Sequence, residues 1–114
     1  MTDYHRGDIF LVDFDPSVGH EFQKIRPAVI IQSDKIIKNG SLVTVMAITS
    51  NLKNRCTRDI YIKKLDNNGL FKDSIVKVGA IHSFDSRRLL KKIGIGQNDV
   101  LEKIADYLRT HFDL

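Results

Sequence analysis

The chain has 114 residues and a mass of 13.0 kDa, which predicts one domain, residues 1–114, with room for only a small active site. Its 42% hydrophobic and 28% charged residues are typical of a folded protein, and 7 Gly with 2 Pro exclude collagen-like or linker-like sequence. The single cysteine, Cys56, can close no internal disulfide and belongs to no paired zinc site, so we expect neither to hold the fold.

Charge and hydropathy indicate which kinds of partner the protein can bind. Lys and Arg number 18 against 14 Asp and Glu, a net charge of +4, which favours polyanionic partners but is equally consistent with a solvated polar surface. No apolar run is long enough for a membrane span, and the first residues lack the basic-then-apolar order of a signal peptide. We therefore expect a cytoplasmic protein with no membrane partner.

Short apolar runs separated by turn residues predict a mostly β (α+β) protein. The predicted strands are residues 9–14, 28–32, 42–48 and 58–62, with a pair of short strands within 75–81 that Gly79 interrupts. The second strand is expected to begin directly after Pro27, because proline cannot donate to a sheet ladder. This many short strands in a small chain indicates a strongly bent sheet or small barrel.

The end of the chain has helical rather than strand periodicity. Residues 98–112 are predicted to form an amphipathic helix, with Asn98 as the N-cap and an apolar stripe made of Val100, Leu101, Ile104, Ala105, Leu108 and Phe112. A shorter helical segment is expected over residues 86–91, entered through Asp85.

Residues 15–25 form a long connection without clear period, which in a small domain is often functional. The connection leads into Arg26-Pro27, where the proline ring disfavours helical backbone and holds Arg26 extended at the start of a buried strand. A guanidinium fixed there suits a phosphate, although an ion pair with Glu21 explains the same placement as well. Gly19 gives a ligand room to approach, and His20 adds a group that titrates near neutral pH.

A series of short matches resembles the MazF/PemK (Kid) toxins of bacterial toxin–antitoxin pairs. The matching segments, in chain order, are Arg6-Gly7-Asp8-Ile9, Asp15-Pro16, Gly19-His20-Glu21, residues 26–31, Ala47-Ile48-Thr49, Asp73-Ser74 and Asp85 with Arg88-Leu89. The resemblance implies a small SH3-like barrel of the CcdB/PemK type with a C-terminal helix, assembled as a homodimer. It also implies a sequence-specific endoribonuclease that needs no metal or cofactor and cleaves single-stranded RNA, leaving 2′,3′-cyclic phosphate and 5′-hydroxyl ends. A cognate antitoxin with a disordered acidic tail is expected to cover Arg26.

The resemblance assigns three catalytic residues. Arg26 would clamp the phosphate and stabilise the transition state, Thr49 would hydrogen-bond the phosphate or leaving oxygen, and His20 would act as base or acid. By themselves, Thr49 is an ordinary β-branched strand residue and His20 an exposed loop imidazole. The residues expected to contact RNA are Gly19, Glu21, Phe22, Lys24, Lys77 and His82. Phe22 could instead plug the edge of the barrel, and Glu21 could organise the loop through backbone hydrogen bonds.

The sequence departs from the family pattern in the loop, where Phe22-Gln23-Lys24 replaces the usual Gln-Gly-Gly, and at four positions between residues 77 and 82. Where Kid-like toxins carry an arginine and an aspartate, this chain has Lys77 and Gly79, and where a glutamine and an arginine are common it has Ala80 and His82. A lysine lacks the bidentate fork of arginine, and Gly79 removes a carboxylate. These changes leave open a degenerate relative that binds RNA or antitoxin without cleaving. A gyrase-binding toxin resembling CcdB is disfavoured, because that group uses a C-terminal tryptophan and this chain has none.

Overall fold

The computed structural model describes residues 4–14, 25–37 and 41–114. In these ranges one antiparallel sheet has the strand order β4-β5-β3-β2-β1-β6. The strands are β1 (Asp8–Asp13), β2 (Ile25–Ile30), β3 (Leu42–Thr49), β4 (Ile60–Ile62), β5 (Ser74–Asp85) and β6 (Leu89–Ile95), and the helices are α1 (Asp34–Ile37) and α2 (Asn98–His111). The predicted mostly β chain with a C-terminal helix is confirmed.

The two edges of the sheet approach each other. A turn of 3-10 helix after β4, Asp66–Asn68, packs against edge strand β6, where a Cβ at Gly94 would overlap the backbone of Asn68. Just beyond β6, the Gln97 amide donates to the Lys63 carbonyl at 3.4 Å. The sheet is therefore strongly bent, as its short strands predicted.

Gly69 is required where the two edges meet. Its φ is 71°, in the left-handed region, and a Cβ there would overlap the carbonyl of Ile93. Gly69→Ala is expected to lower the free energy of unfolding by at least about 2 kcal/mol, combining left-handed backbone with overpacking. Urea unfolding measures the effect, and Gly79→Ala is the matched control, since a Cβ at Gly79 has no atom within 4 Å. Equal midpoints for the two variants would contradict this account of the turn.

Alternating residues fill a hydrophobic cluster on each face of the sheet, as strand periodicity requires. One cluster contains Ile9, Val29, Met46 and Ile48, and α2 closes it with its buried Val100 and Ile104. The other contains Phe10, Val12, Ala28, Ile30, Val43, Val45 and Ala47. We call the face of this second cluster the alanine face, after Ala28 and Ala47.

Two predicted strand boundaries were wrong. Strand β2 begins at Ile25, before Pro27, and not after it. It pairs with β1 from Ile25 onward but with β3 only from Ala28, so the proline lies where the second ladder begins. Strand β5 is one strand of 12 residues rather than two short ones. Gly79 lies within β5 where the pairing of β5 with β3 shifts register, between Met46 and Ile48 of β3.

The helix predicted over residues 86–91 was also wrong. Asp85 does accept the backbone N–H of Arg87 at 2.9 Å, but only one 3-10 turn, Ser86–Arg88, follows. From Leu89 the chain instead forms β6, an edge strand that pairs with β1. The sequence did not predict this strand, because the consecutive Lys91 and Lys92 interrupt the alternation of apolar and polar residues. In α2 the N-cap is Gln97 rather than Asn98, and Phe112 lies beyond the helix with 58% exposure.

Among the described residues, no helix combines the length and apolar character that crossing a membrane requires.

Candidate active site

Arg26 lies in β2 with its side chain exposed. It pairs with Val12 of β1, and strand alternation places its side chain on the alanine face, in line with Ala28 and Ile30. Within residues 4–14, 25–37 and 41–114, the guanidinium has no hydrogen bond or ion pair. Arg26 thus presents an always-charged, five-donor group at the surface of the sheet.

Thr49 ends β3, the strand beside β2 in the sheet. The β2–β3 ladder pairs Ile30 with Val45 and Ala28 with Ala47. The ladder ends at this last pair, and Arg26 and Thr49 each lie two residues beyond it. Strand alternation therefore places both side chains on the alanine face, at the end of neighbouring strands.

Among the described residues, the Thr49 hydroxyl makes one hydrogen bond, in which it is the acceptor. Thr49 is 9% exposed, and its Oγ1 accepts the backbone N–H of Asn51 at 3.1 Å. A hydroxyl can accept and donate at once, so its hydrogen remains available for an oxygen placed between Thr49 and Arg26. This pair can hydrogen-bond one anionic group from two sides.

Lys77 is engaged inside the protein rather than directed to a ligand. Its ammonium contacts Asp59 Oδ2 at 2.6 Å, the carbonyl of Asn54 at 2.7 Å and the sulfur of Cys56 at 3.6 Å. Burial opposes the charge on Lys77, but hydrogen bonding to Asp59 and its charge, with a smaller contribution from Cys56, raise the lysine pKa overall. These contacts favour a structural role for Lys77 over the expected contact with RNA.

Asp59, which the sequence did not single out, organises this network. It is 5% exposed, and besides Lys77 it accepts the backbone N–H of Cys56 at 2.9 Å and of Val78 at 3.1 Å. The carboxylate thereby fastens the connection that follows Thr49 to β5. The sequence offered one signal, a charged residue directly before the apolar alternation of Ile60 and Ile62.

His82 lies on the alanine face but away from Thr49. It pairs with Val45, four residues before Thr49 in β3, a separation of about 13 Å along a strand. Its ring packs against Phe14 at 5.2 Å and Phe84 at 6.5 Å between centroids. The structure does not bring this imidazole to the Arg26–Thr49 pair, and its expected contact with RNA stays a prediction.

Five expected site residues lie outside the described residues. They are Gly19, His20, Glu21, Phe22 and Lys24. The alternative partner of Arg26, Glu21, is among them, so both interpretations of Arg26 stay open. In the ranges that are described, no three His, Cys, Asp or Glu side chains gather closely enough to hold a metal ion.

A groove of about 790 Å³ begins at Ser50, directly after Thr49. Residues 50–53 form one side, and Lys64, Lys72 and Asp73 form the other. Asp73 accepts the hydroxyl of Tyr61 at 2.7 Å and the backbone N–H of Lys64 at 2.8 Å. These bonds, the backbone bond first, lower the pKa of Asp73. Of the groove residues, only Asp73 belonged to a motif matched in the sequence, and the lysines carried no signal beyond their charge.

Known proteins resemble this chain over almost its whole length. The family model for the PemK-like, MazF-like toxins of type II toxin–antitoxin systems matches residues 5–112. The chain is 30% identical over 114 residues to Endoribonuclease MazF9 of Mycobacterium tuberculosis, covering 96% of each protein. The crystal structure of MazF (Form-I) from Deinococcus radiodurans superposes with a TM-score of 0.81 at 20% identity, covering 97% of each chain. An endoribonuclease from a mycobacterial species, solved in complex with its cognate antitoxin, gives 0.75 at 14% identity, covering 97% of this chain and 96% of that one. Because the family model covers almost the whole chain and a relative of nearly equal length shares 30% of its residues, this protein belongs to the PemK-like, MazF-like toxins of type II toxin–antitoxin systems.

Proposed function

We propose that this toxin is a sequence-specific endoribonuclease that cleaves single-stranded RNA between Arg26 and Thr49. The observation that carries the proposal is that an exposed guanidinium and a threonine hydroxyl share the alanine face, each two residues beyond the last pair of the β2–β3 ladder. The 30% identity to a protein named as an endoribonuclease supports the same reaction class. We further propose that it works in the cytoplasm as a single-domain homodimer, restrained by a cognate antitoxin.

The proposed reaction is an internal transesterification. The ribose 2′-oxygen attacks the adjacent phosphorus as its proton passes to a base, and the bond from phosphorus to the 5′-oxygen breaks as that oxygen gains a proton. The products are a 2′,3′-cyclic phosphate and a 5′-hydroxyl. Negative charge builds on the non-bridging oxygens in the transition state, where preorganised donors are most effective. Arg26 supplies a charged fork, and Thr49 donates its free hydroxyl hydrogen.

His20 is the proposed base or acid. An imidazole titrates near neutral pH, so it can exchange a proton under cellular conditions.

Mapping of RNA ends tests the reaction class directly. Wild-type protein incubated with a defined RNA pool in EDTA is expected to yield fragments with cyclic phosphate at one end and 5′-hydroxyl at the other. Fragments carrying 5′-phosphate would contradict the proposal.

Thr49→Val is expected to slow cleavage about 10- to 100-fold, because valine keeps the β-branched shape but removes one donor to the transition state. The substitution also removes the acceptor for the Asn51 N–H. Thr49→Ser, which keeps the hydroxyl, is the matched control and should retain most of the activity. Single-turnover cleavage of one RNA by the three proteins measures the effect, and equal rates for valine and wild type would remove Thr49 from the site.

A toxin that binds without cutting is the second candidate, and two observations favour it. Gly79 and Ala80 replace polar family residues, and Lys77 is engaged by Asp59. RNA incubated with a large excess of protein distinguishes the candidates. Retarded but intact RNA supports the non-cleaving toxin, whereas accumulating fragments support the endoribonuclease.

A further inference from the structure

The groove that begins at Ser50 continues the proposed site beyond the point of cleavage. Thr49 pairs with Ile75 of β5, and Ile75 pairs in turn with Tyr61 of β4. Thr49, Ile75 and Tyr61 thus form a row across three neighbouring strands, spaced by about 4.8 Å per strand, and Arg26 lies on the next strand, β2. The groove flanks this row, so a chain held between Arg26 and Thr49 meets the groove next.

The groove carries a strong positive charge on both sides. Lys53 lies on the side that follows Thr49, while Lys64 and Lys72 lie opposite. All three are exposed, and within the described ranges none of their ammonium groups has a hydrogen bond or ion pair. The acidic lining residue, Asp73, already accepts two hydrogen bonds from its own wall. The groove therefore presents three exposed ammonium groups to a ligand, beside one carboxylate, Asp73, whose charge interacts with that of Lys64.

One aromatic side chain, Tyr61, is bonded to a groove residue, and a second, Phe71, is the chain neighbour of another. Tyr61 is 45% exposed, and its hydroxyl bond to Asp73 fixes the ring. Phe71, directly before Lys72, is 77% exposed. Basic residues interleaved with exposed aromatic rings are typical of surfaces that bind single-stranded nucleic acid, because the cations follow the backbone and the rings stack on bases. An acidic peptide would use the charges but not the rings, so RNA is the occupant that these features favour.

We propose that Lys64 and Lys72 bind the phosphates of RNA nucleotides flanking the cleaved linkage, and that this groove is an extended substrate subsite. The inference rests on the proposed function, because the substrate is taken to be RNA held at Thr49. A lysine contact to phosphate is independent of sequence and adds affinity that falls with salt. The groove is therefore expected to strengthen binding of long RNA without changing the chemical step.

The test compares Lys64→Gln/Lys72→Gln with a control pair, Lys35→Gln/Lys103→Gln, on the exposed faces of α1 and α2. Binding is measured on a long RNA made uncleavable by 2′-deoxy substitution, so that it can be read whether or not the protein cleaves. The groove variant is expected to bind about tenfold more weakly, and the slope of log affinity against log salt should fall by about 1.4, for two phosphates lost. Circular dichroism establishes that both variants are folded.

Cleavage adds a second measurement. The groove variant should raise KM for long RNA while leaving kcat, and cleavage of a short oligonucleotide spanning only the cut linkage, unchanged. Unchanged affinity for long RNA, or the same loss in the control pair, overturns the proposal. A groove variant that loses affinity for a poly-glutamate peptide but binds RNA normally also overturns the proposal. That result would assign the groove to an acidic protein partner. If wild type fails to cleave but the groove variant alone loses RNA binding, the proposed endoribonuclease fails while the subsite stands.

Discussion

Arg26→Ala is expected to lower the rate constant of RNA cleavage by about a thousandfold or more, the largest loss of any single substitution in this chain. A charged donor placed on a phosphoryl group at its transition state contributes on the order of 10³ to 10⁵ in rate. The guanidinium is exposed and directed from β2 toward the Thr49 side of the sheet. Single-turnover cleavage at saturating protein measures the loss without a contribution from RNA affinity.

Arg26→Lys separates charge from geometry. Lysine keeps the positive charge but offers a point donor in place of a planar fork, so activity between alanine and wild type is expected. Neither variant should change the urea midpoint appreciably, because exposed side chains away from special features contribute little to stability. A folded alanine variant that cleaves at the wild-type rate would remove Arg26 as the catalytic centre.

The apolar runs of the sequence predicted β1, β3 and β4 to within two residues, and the helical stripe predicted α2. Alternation is readable where one face of a strand is buried and the other is not. It failed for β6, an edge strand where Leu90, Lys91 and Lys92 are exposed in succession. It also failed to join the two halves of β5, because a glycine that absorbs a register shift resembles a glycine that ends a strand.

A site residue could be predicted from the sequence where its chain neighbours fix its position, and could not where distant residues do. The Arg26-Pro27 pair constrains its own backbone, so Arg26 could be selected from the residues alone, whereas Thr49 is an ordinary strand residue that only the family resemblance selects. The direction of Lys77 depends on Asp59, which lies 18 residues earlier and approaches only through the β4–β5 pairing. No local pattern carries that information. The groove likewise combines two connections that are separate in the sequence.

The hydrogen bonds of Asp59 connect the packing of β5 to the segment that follows Thr49. Thr49 Oγ1 accepts from Asn51, and the connection that contains Asn51 is fastened to β5 through Asn54, Lys77 and Asp59. Lys77 therefore stabilises the connection that follows Thr49.

Asp59→Ala is therefore expected to lower the free energy of unfolding by about 3–5 kcal/mol, the usual cost of removing one partner from a buried ion pair. Lys77 would keep a charge with only 17% of its side chain exposed, and the backbone N–H groups of Cys56 and Val78 would lose their acceptor. Urea unfolding at neutral pH measures the change. Asp66→Ala, at an exposed aspartate, is the matched control and should have little effect.

Lys77→Met tests how much the ammonium group of Lys77, as distinct from the carboxylate of Asp59, contributes to stability. It leaves Asp59 with its two backbone donors, so the loss should be smaller than for Asp59→Ala, about 1–3 kcal/mol. Because the folded-state pKa of Lys77 is raised, its stabilisation is fully present below the ordinary lysine pKa and is lost as pH rises through the raised value. The difference between wild type and Lys77→Met should accordingly be constant around neutral pH and shrink in strong alkali. A difference that grows with pH, or an Asp59→Ala variant as stable as Asp66→Ala, would show that the ion pair does not hold the connection.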